Sequence, residues 1–176
     1  SLFGASKVAA DIVAQEYGRY YGMNIGIFRG GCLVGPSHSG VKLHGFLSYL
    51  VKVAVSGEQY TILGYKGKQV RDQIHSYDVV RAIEEFSKNP SQGEAFNLGG
   101  GRNNSASILE SIELIEGILA RKVNWSYTDL NRRGDHICYI SNLNKFKTAY
   151  PNWNITRTLD SIIKELIEAE TINVSH

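Results

Sequence analysis

Apolar residues recur at spacings of three and four along residues 5–21, where Val8, Ile12, Val13, Tyr17, Tyr20 and Tyr21 alternate with Asp11, Gln15 and Arg19. That period predicts a helix, and Gly22 directly after it predicts a left-handed cap. Residues 24–28 read as a short strand and Arg29-Gly30-Gly31 as the loop after it, an α/β half-unit. From Val34 the pattern breaks into a loop running from Gly35 to Gly40. Beyond it the pattern predicts helices over 43–55, 78–88, 142–150 and 158–168, and strands over 60–63, 96–98 and 123–127. Ser107 and Glu110 have capping-box spacing at the head of another helix carrying Ile108, Leu109, Ile112, Ile115 and Leu119. Asn89-Pro90 stops the 78–88 helix, and residues 171–176 read as a loose tail.

Composition acts mainly by exclusion. The 176 residues suffice for one real core. A net charge of +2, from 19 basic and 17 acidic residues, gives no broad field for nucleic acid, so any polyanion site must be a local pocket. The apolar runs are far shorter than a membrane span, so no membrane partner is expected. Two cysteines, Cys32 and Cys138, are too few for a disulfide framework and point to a reducing cytoplasm. The chain opens on Ser1 without a charged-then-apolar leader and enters a helical pattern at once, so the expectation is a cut end and a sheet with an open edge.

Six short segments carry candidate chemistry. In Phe3-Gly4-Ala5-Ser6-Lys7 an aromatic and an ammonium stand one helical turn apart. Arg29-Gly30-Gly31-Cys32-Leu33-Val34-Gly35-Pro36 places two small residues at a strand end, where backbone can approach a ligand closely. Lys68 to Val80, KQVRDQIHSYDVV, contains Arg71, Asp72, His75 and Asp78. Arginine suits a diphosphate fork; Asp72 and His75 suit holding a loop better than a metal, because no further ligand set accompanies them. Phe96-Asn97-Leu98-Gly99-Gly100-Gly101 is a strand running into a glycine turn. Arg132-Arg133-Gly134-Asp135 is followed by Tyr139, and His38 and His44 flank a polar, glycine-rich loop.

In this order and at this spacing the segments resemble the extended short-chain dehydrogenases, specifically their NAD-dependent epimerase/dehydratase branch. The likeness runs from Phe3 to about Trp153, and the runs 64–79 and 97–110 are most similar to enzymes that epimerise CDP-sugars. The resemblance implies an α/β fold: the carboxyl-terminal part of a Rossmann-like doubly wound sheet plus a small mixed α/β substrate-binding lobe. Residues 1–36 would end the NAD-binding domain and 37–170 would be mostly the lobe, with 64–100 partly returning to the sheet. It implies an isomerase with NAD as cofactor, a nucleotide-diphosphate sugar as substrate and a homodimer at full length, this chain alone being inactive.

By the same resemblance Lys7, Arg29, Gly30, Gly31 and Cys32 would meet the cofactor. Cys32, His38, His44, Arg71, Arg132 and Tyr139 would meet the substrate. Lys7 would hold the nicotinamide ribose, and the residue one turn before it would be a tyrosine acting as base. Here that position is Phe3, and a phenyl ring has no proton to exchange. Cys32 and Val34 likewise replace the pattern's Asn and Tyr. Two further readings stay open: a catalytically weak binder of NAD or nucleotide sugar, and a dehydratase or reductase on the same scaffold. Read without the resemblance, Phe3 is a buried helix-start aromatic, Cys32 a small core residue and Arg133 a solvated surface charge.

Overall fold

A computed structural model describes residues 1–37, 45–132 and 134–174. Helix α1 (Leu2–Tyr21) begins three residues before the apolar period does, because the Ser1 side chain accepts from the Gly4 amide and caps it. It ends at Gly22 in the left-handed conformation (φ 66°). The chain reverses into β1 (Ile25–Gly30), which pairs in parallel with β5 (Gln92–Leu98). Arg29 and Gly30 thus extend the strand rather than form a loop, through pairing with Asn97 and Leu98.

A short β2 (Cys32–Val34) follows, where the sequence pattern showed none, and pairs in parallel with β4 (Val70–His75). Three residues of apolar alternation are too few to register as a strand in sequence. β4 also pairs antiparallel with β6 (Ser105–Ser107) and parallel with β8 (Cys138–Tyr139). β3 (Tyr60–Leu63) pairs in parallel with β7 (Trp125–Thr128). The remaining helices are α2 (Phe46–Ser56), α3 (Ser76–Lys88), α4 (Ile108–Leu119), α5 (Asn144–Ala149) and α6 (Leu159–Val174). The last of these carries helix through residues 171–174, part of the segment expected as a loose tail; Thr171 Oγ1 donates to the Ile167 carbonyl within it.

Two hydrophobic clusters flank β4. One gathers Phe28, Phe86, Phe96, Phe146, Tyr150 and Trp153 around Ile74. The other packs α2, α4 and α6 with Val34, Ile62 and Ala106. Side chains alternate along a strand, so Asp72 and Ile74 face the first cluster. Arg71, Gln73 and His75 face the second, beside their partners Ala106, Cys32 and Val34.

Two fully buried carboxylates hold this arrangement. Asp78 takes Thr156 Oγ1 at 2.7 Å and the amides of Thr156 and Arg157 at 3.0 and 3.1 Å, while its carbonyl accepts Trp153 Nε1. Asp72 Oδ2 takes the amides of Gly101 and Ser141 at 2.9 and 3.0 Å. A carboxylate away from water is tolerated only with such donors. The loop-holding role expected of Asp72 is what these bonds perform. His75 caps α3, its Nδ1 accepting from the Tyr77 amide, so its hydrogen sits on Nε2, 3.1 Å from Glu165.

α1 lies on the sheet through a different face from the one its apolar period suggests. Gly18 is its buried residue, while Val8, Ile12, Val13, Tyr17, Tyr20 and Tyr21 are exposed. A Cβ on Gly18 would stand 2.2 Å from the Gly93 amide nitrogen, and Gly93 itself (φ 78°) lies against the Gln15 carbonyl. The contact is backbone on backbone, with nothing flexible to yield. Gly18→Ala gains about 1 kcal/mol of helix propensity but overpacks a rigid contact, which costs roughly 1–3 kcal/mol. The expected net result is a lower unfolding midpoint in urea; a raised midpoint would show that α1 does not rest on Gly93.

Candidate functional site

At its amino end α1 presents Phe3 and Lys7 one turn apart, with Lys7 Nζ 5.5 Å from the Phe3 ring centre. Phe3 is 72% exposed, so it is not the buried aromatic that its residue type suggests. Arg29, at the carboxyl end of β1, forks onto Asp11 at 2.8 and 3.0 Å. Asp11 is one turn after Lys7. The ion pair therefore sets Lys7 beside the carboxyl end of β1, the end at which parallel α/β sheets bind ligands. The Arg29 guanidinium raises no free charge here; it lowers the Asp11 carboxyl below its usual range through their hydrogen bond.

Gly30 and Gly31 follow at that strand end. The Gly31 amide donates to the Leu98 carbonyl at 2.8 Å, and a Cβ there would meet Asp72 Oδ1 at 2.6 Å. Only glycine lets this backbone pass over the buried carboxylate. Cys32, next along, is half-buried, and burial pushes its thiol pKa up, with Asp72 adding to the effect. A thiol held protonated is a poor base. Cys138 is an exposed free cysteine.

The second part of the site is a cavity between β3, α2 and β4. Tyr49, Tyr60, Thr61, Gln69, Arg71, Arg132 and Asp135 line it, with Phe46, Leu63 and Ile108 beneath. The structure thus brings Arg71 and Arg132 to one place. Arg71 is nearly saturated: Nη1 donates to the Val70 carbonyl at 2.7 Å, and Nη2 to Asp135 Oδ1 at 2.6 Å and to the His136 carbonyl. Tyr60 is buried, its hydroxyl pKa pushed up to about 12 by desolvation and then by Tyr49, while Arg132 pulls it down. The hydroxyl stays neutral and can donate a hydrogen bond. Tyr139 is the register partner of Arg71 and is half-buried. His38, His44 and Arg133 lie outside the described residues.

Residue-type reasoning did not single out Tyr49, Tyr60, Gln69 or Gln73. The tyrosines read as core residues of a helix and a strand. The two glutamines carried a signal, being uncharged polar residues in a segment otherwise committed to burial, and both are at most 4% exposed. Among the described residues no group of three or more metal-ligating side chains occurs, and no helix is long and apolar enough to cross a membrane. Of the residues expected to meet a dinucleotide, Gly30 and Gly31 stand at the end of β1 without side chains, and Lys7 stands on the adjoining helix α1, an arrangement that fits such a cofactor.

Comparison with known proteins bears on the same geometry. CDP-paratose 2-epimerase of Salmonella typhi is 31% identical over 157 residues, covering 85% of this chain and 46% of that protein. The dTDP-glucose 4,6-dehydratase 1 of Escherichia coli strain K12 is 26% identical over 174 residues, 96% of this chain and 46% of its own length. The chain spans about half the length of the curated relatives it matches. Among solved structures, MoeE5 in complex with UDP-glucose and NAD superposes with a TM-score of 0.85 at 22% identity, over 99% of this chain and 56% of that one, a likeness of fold. Residues 1–99 match the NAD dependent epimerase/dehydratase family. With a parallel sheet end, a lysine on the adjoining helix and a two-arginine cavity in family order, the chain belongs to the NAD dependent epimerase/dehydratase family.

Proposed function

We propose that the full-length protein is an NAD-dependent epimerase of a nucleotide-diphosphate sugar, working through a transient keto sugar. The observation that carries the reading is the convergence of Arg71 and Arg132 on a cavity walled by Tyr49 and Tyr60. Two guanidiniums suit a diphosphate, and flat aromatic side chains suit a nucleoside. Lys7 would hold the nicotinamide ribose, with Gly30 and Gly31 letting the ring approach the backbone. When bound, NAD supplies the hydride acceptor and donor. The protein's own part is to orient the sugar carbon and to move the hydroxyl proton.

Arg71 meets Asp135 at 2.6 Å in this structure. A diphosphate arriving at Arg71 competes with that carboxylate and takes its place on Nη2, which frees Asp135 to accept a hydroxyl. The identity of the first relative supports a CDP-sugar as substrate. Losing one charge-assisted contact costs about 1.5–3 kcal/mol. In calorimetric titration of the full-length protein with CDP-glucose, Arg71→Ala is expected to weaken binding roughly 10- to 150-fold; equal affinities would remove the assignment.

Proton transfer cannot use residue 3. Lys7 stacks on a phenyl ring and has no phenol to acidify. The candidates for the base are His38 and His44 in this chain, or a Ser, Thr or Asp in the remainder of the full-length protein. Cys32 is disfavoured by its raised pKa. The second reading, a binder with little turnover, is favoured by Phe3 itself, and the third, a dehydratase, by the Escherichia coli relative. Phe3→Tyr separates the first two. General base catalysis is worth roughly 10²–10⁴-fold. With a base already in place, kcat for the full-length enzyme stays within a few-fold of the natural protein. A gain of two orders of magnitude would show that no base was present and would favour the binder.

A further inference from the structure

The lobe-facing side of β4 carries a polar track that the proposed diphosphate site uses only at its centre. Gln69, Arg71 and Gln73 alternate onto this face, roughly 7 Å apart from one to the next along an extended chain. Gln69 is 4% exposed; its Nε2 donates to the Leu63 carbonyl at 3.2 Å, which fixes the amide, and its Oε1 has no partner. Gln69 lines the cavity together with Tyr49, Tyr60 and both arginines.

Gln73 is 1% exposed; its amide lies against the Cys32 thiol, and among the described residues its Oε1 has no hydrogen-bond partner. It pairs in register with Cys32, directly after the Gly30–Gly31 strand end. So, among the described residues, Arg71 has an unpartnered acceptor on its cavity side, Gln69 Oε1, and another on the side of the β1 carboxyl end, Gln73 Oε1.

A buried amide whose oxygen is left unpaired lowers stability. An apolar side chain of the same length would serve the packing better. What such a group suits is a ligand that brings its own donors and acceptors, and a sugar hydroxyl is both at once. The geometry also gives a direction. A nucleotide sugar gripped at its diphosphate by Arg71 places the nucleoside toward Gln69 and the aromatic wall. Its sugar then extends along β4 toward Gln73, Cys32 and the strand end where hydride would be exchanged.

We propose that Gln73 is a specificity-determining residue that hydrogen-bonds a ring hydroxyl of the sugar, so that the substrate is a nucleotide-activated hexose keeping a hydroxyl on the face toward β4. This inference rests on the diphosphate reading of Arg71, and the test separates the two. Full-length wild-type protein and Gln73→Met, which keeps side-chain length without the amide, are titrated with CDP, UDP, CDP-glucose and UDP-glucose. The reference pair is the one whose bare diphosphate binds more tightly.

The expected result is a loss of tenfold or more in sugar-nucleotide affinity for Gln73→Met, with bare diphosphate affinity kept within twofold. The melting temperature of the ligand-free variant should be unchanged or raised, because what is lost is an unpaired buried oxygen and a weak contact to the Cys32 thiol; a purely structural glutamine would lower it. Sugar-nucleotide affinity unchanged by Gln73→Met overturns the proposal. So does a parallel fall for bare diphosphate and sugar nucleotide, or a lowered melting temperature. If neither diphosphate binds the wild-type protein, the nucleotide reading of Arg71 fails, and this inference goes with it.

Discussion

The Asp72 carboxylate is the point on which the site's geometry depends. It is fully buried on β4, and it draws in the turn after β5 through Gly101, the segment after β8 through Ser141, and the β1–β2 junction through contact with Gly31. Three chain segments far apart in sequence are registered against one charge that has no water to fall back on. Glycine is required wherever backbone crosses it: Cβ atoms at Gly31 and Gly99 would stand 2.6 and 2.4 Å from its two oxygens. Because strand residues alternate, fixing Asp72 inward fixes Arg71 and Gln73 outward, toward the lobe. The anchor Asp72 and the polar pair Arg71 and Gln73 are neighbours in sequence on opposite faces of the same strand.

That arrangement explains which parts of the molecule were legible in the sequence. Helices whose caps or breakers are local signals were found: Gly22 after α1, the Ser107–Glu110 box before α4, Asn89-Pro90 after α3. Short strands were missed or shortened where long-range pairing defines them. β2 has three residues, and β1 extends to Gly30 only because β5 runs beside it. The buried face of α1 was not legible for the same kind of reason. Its buried side is set by the approach of Gly18 to Gly93, a contact between two residues without side chains that no hydrophobic period can report.

The site divides in a similar way. Arginines in recognisable segments pointed to a shared pocket, and Arg71 and Arg132 do line one cavity together. What the sequence could not show was that Arg71 is already held by Asp135 and the His136 carbonyl, since this pairing spans 64 residues. Nor could it show that Arg29, which family likeness would send to the cofactor, spends its fork on Asp11 and so positions Lys7 indirectly. The amide oxygens of Gln69 and Gln73, buried and without a hydrogen-bond partner among the described residues, became visible only once burial and bonding were known. Phe3 stands apart: the chemical gap it makes is plain from residue identity alone.

In the proposed function the lobe-facing side of β4 receives a nucleotide sugar, with its diphosphate at Arg71. The most direct measurement is a crystal structure of the full-length protein with NAD and CDP-glucose or UDP-glucose bound. The expected result is phosphate oxygens within hydrogen-bond distance of Arg71 Nη2 in place of the Asp135 carboxylate, and the hexose lying between Gln73 and the Gly30–Gly31 strand end. A nucleotide sugar bound elsewhere, with the Arg71–Asp135 pair intact, would contradict it.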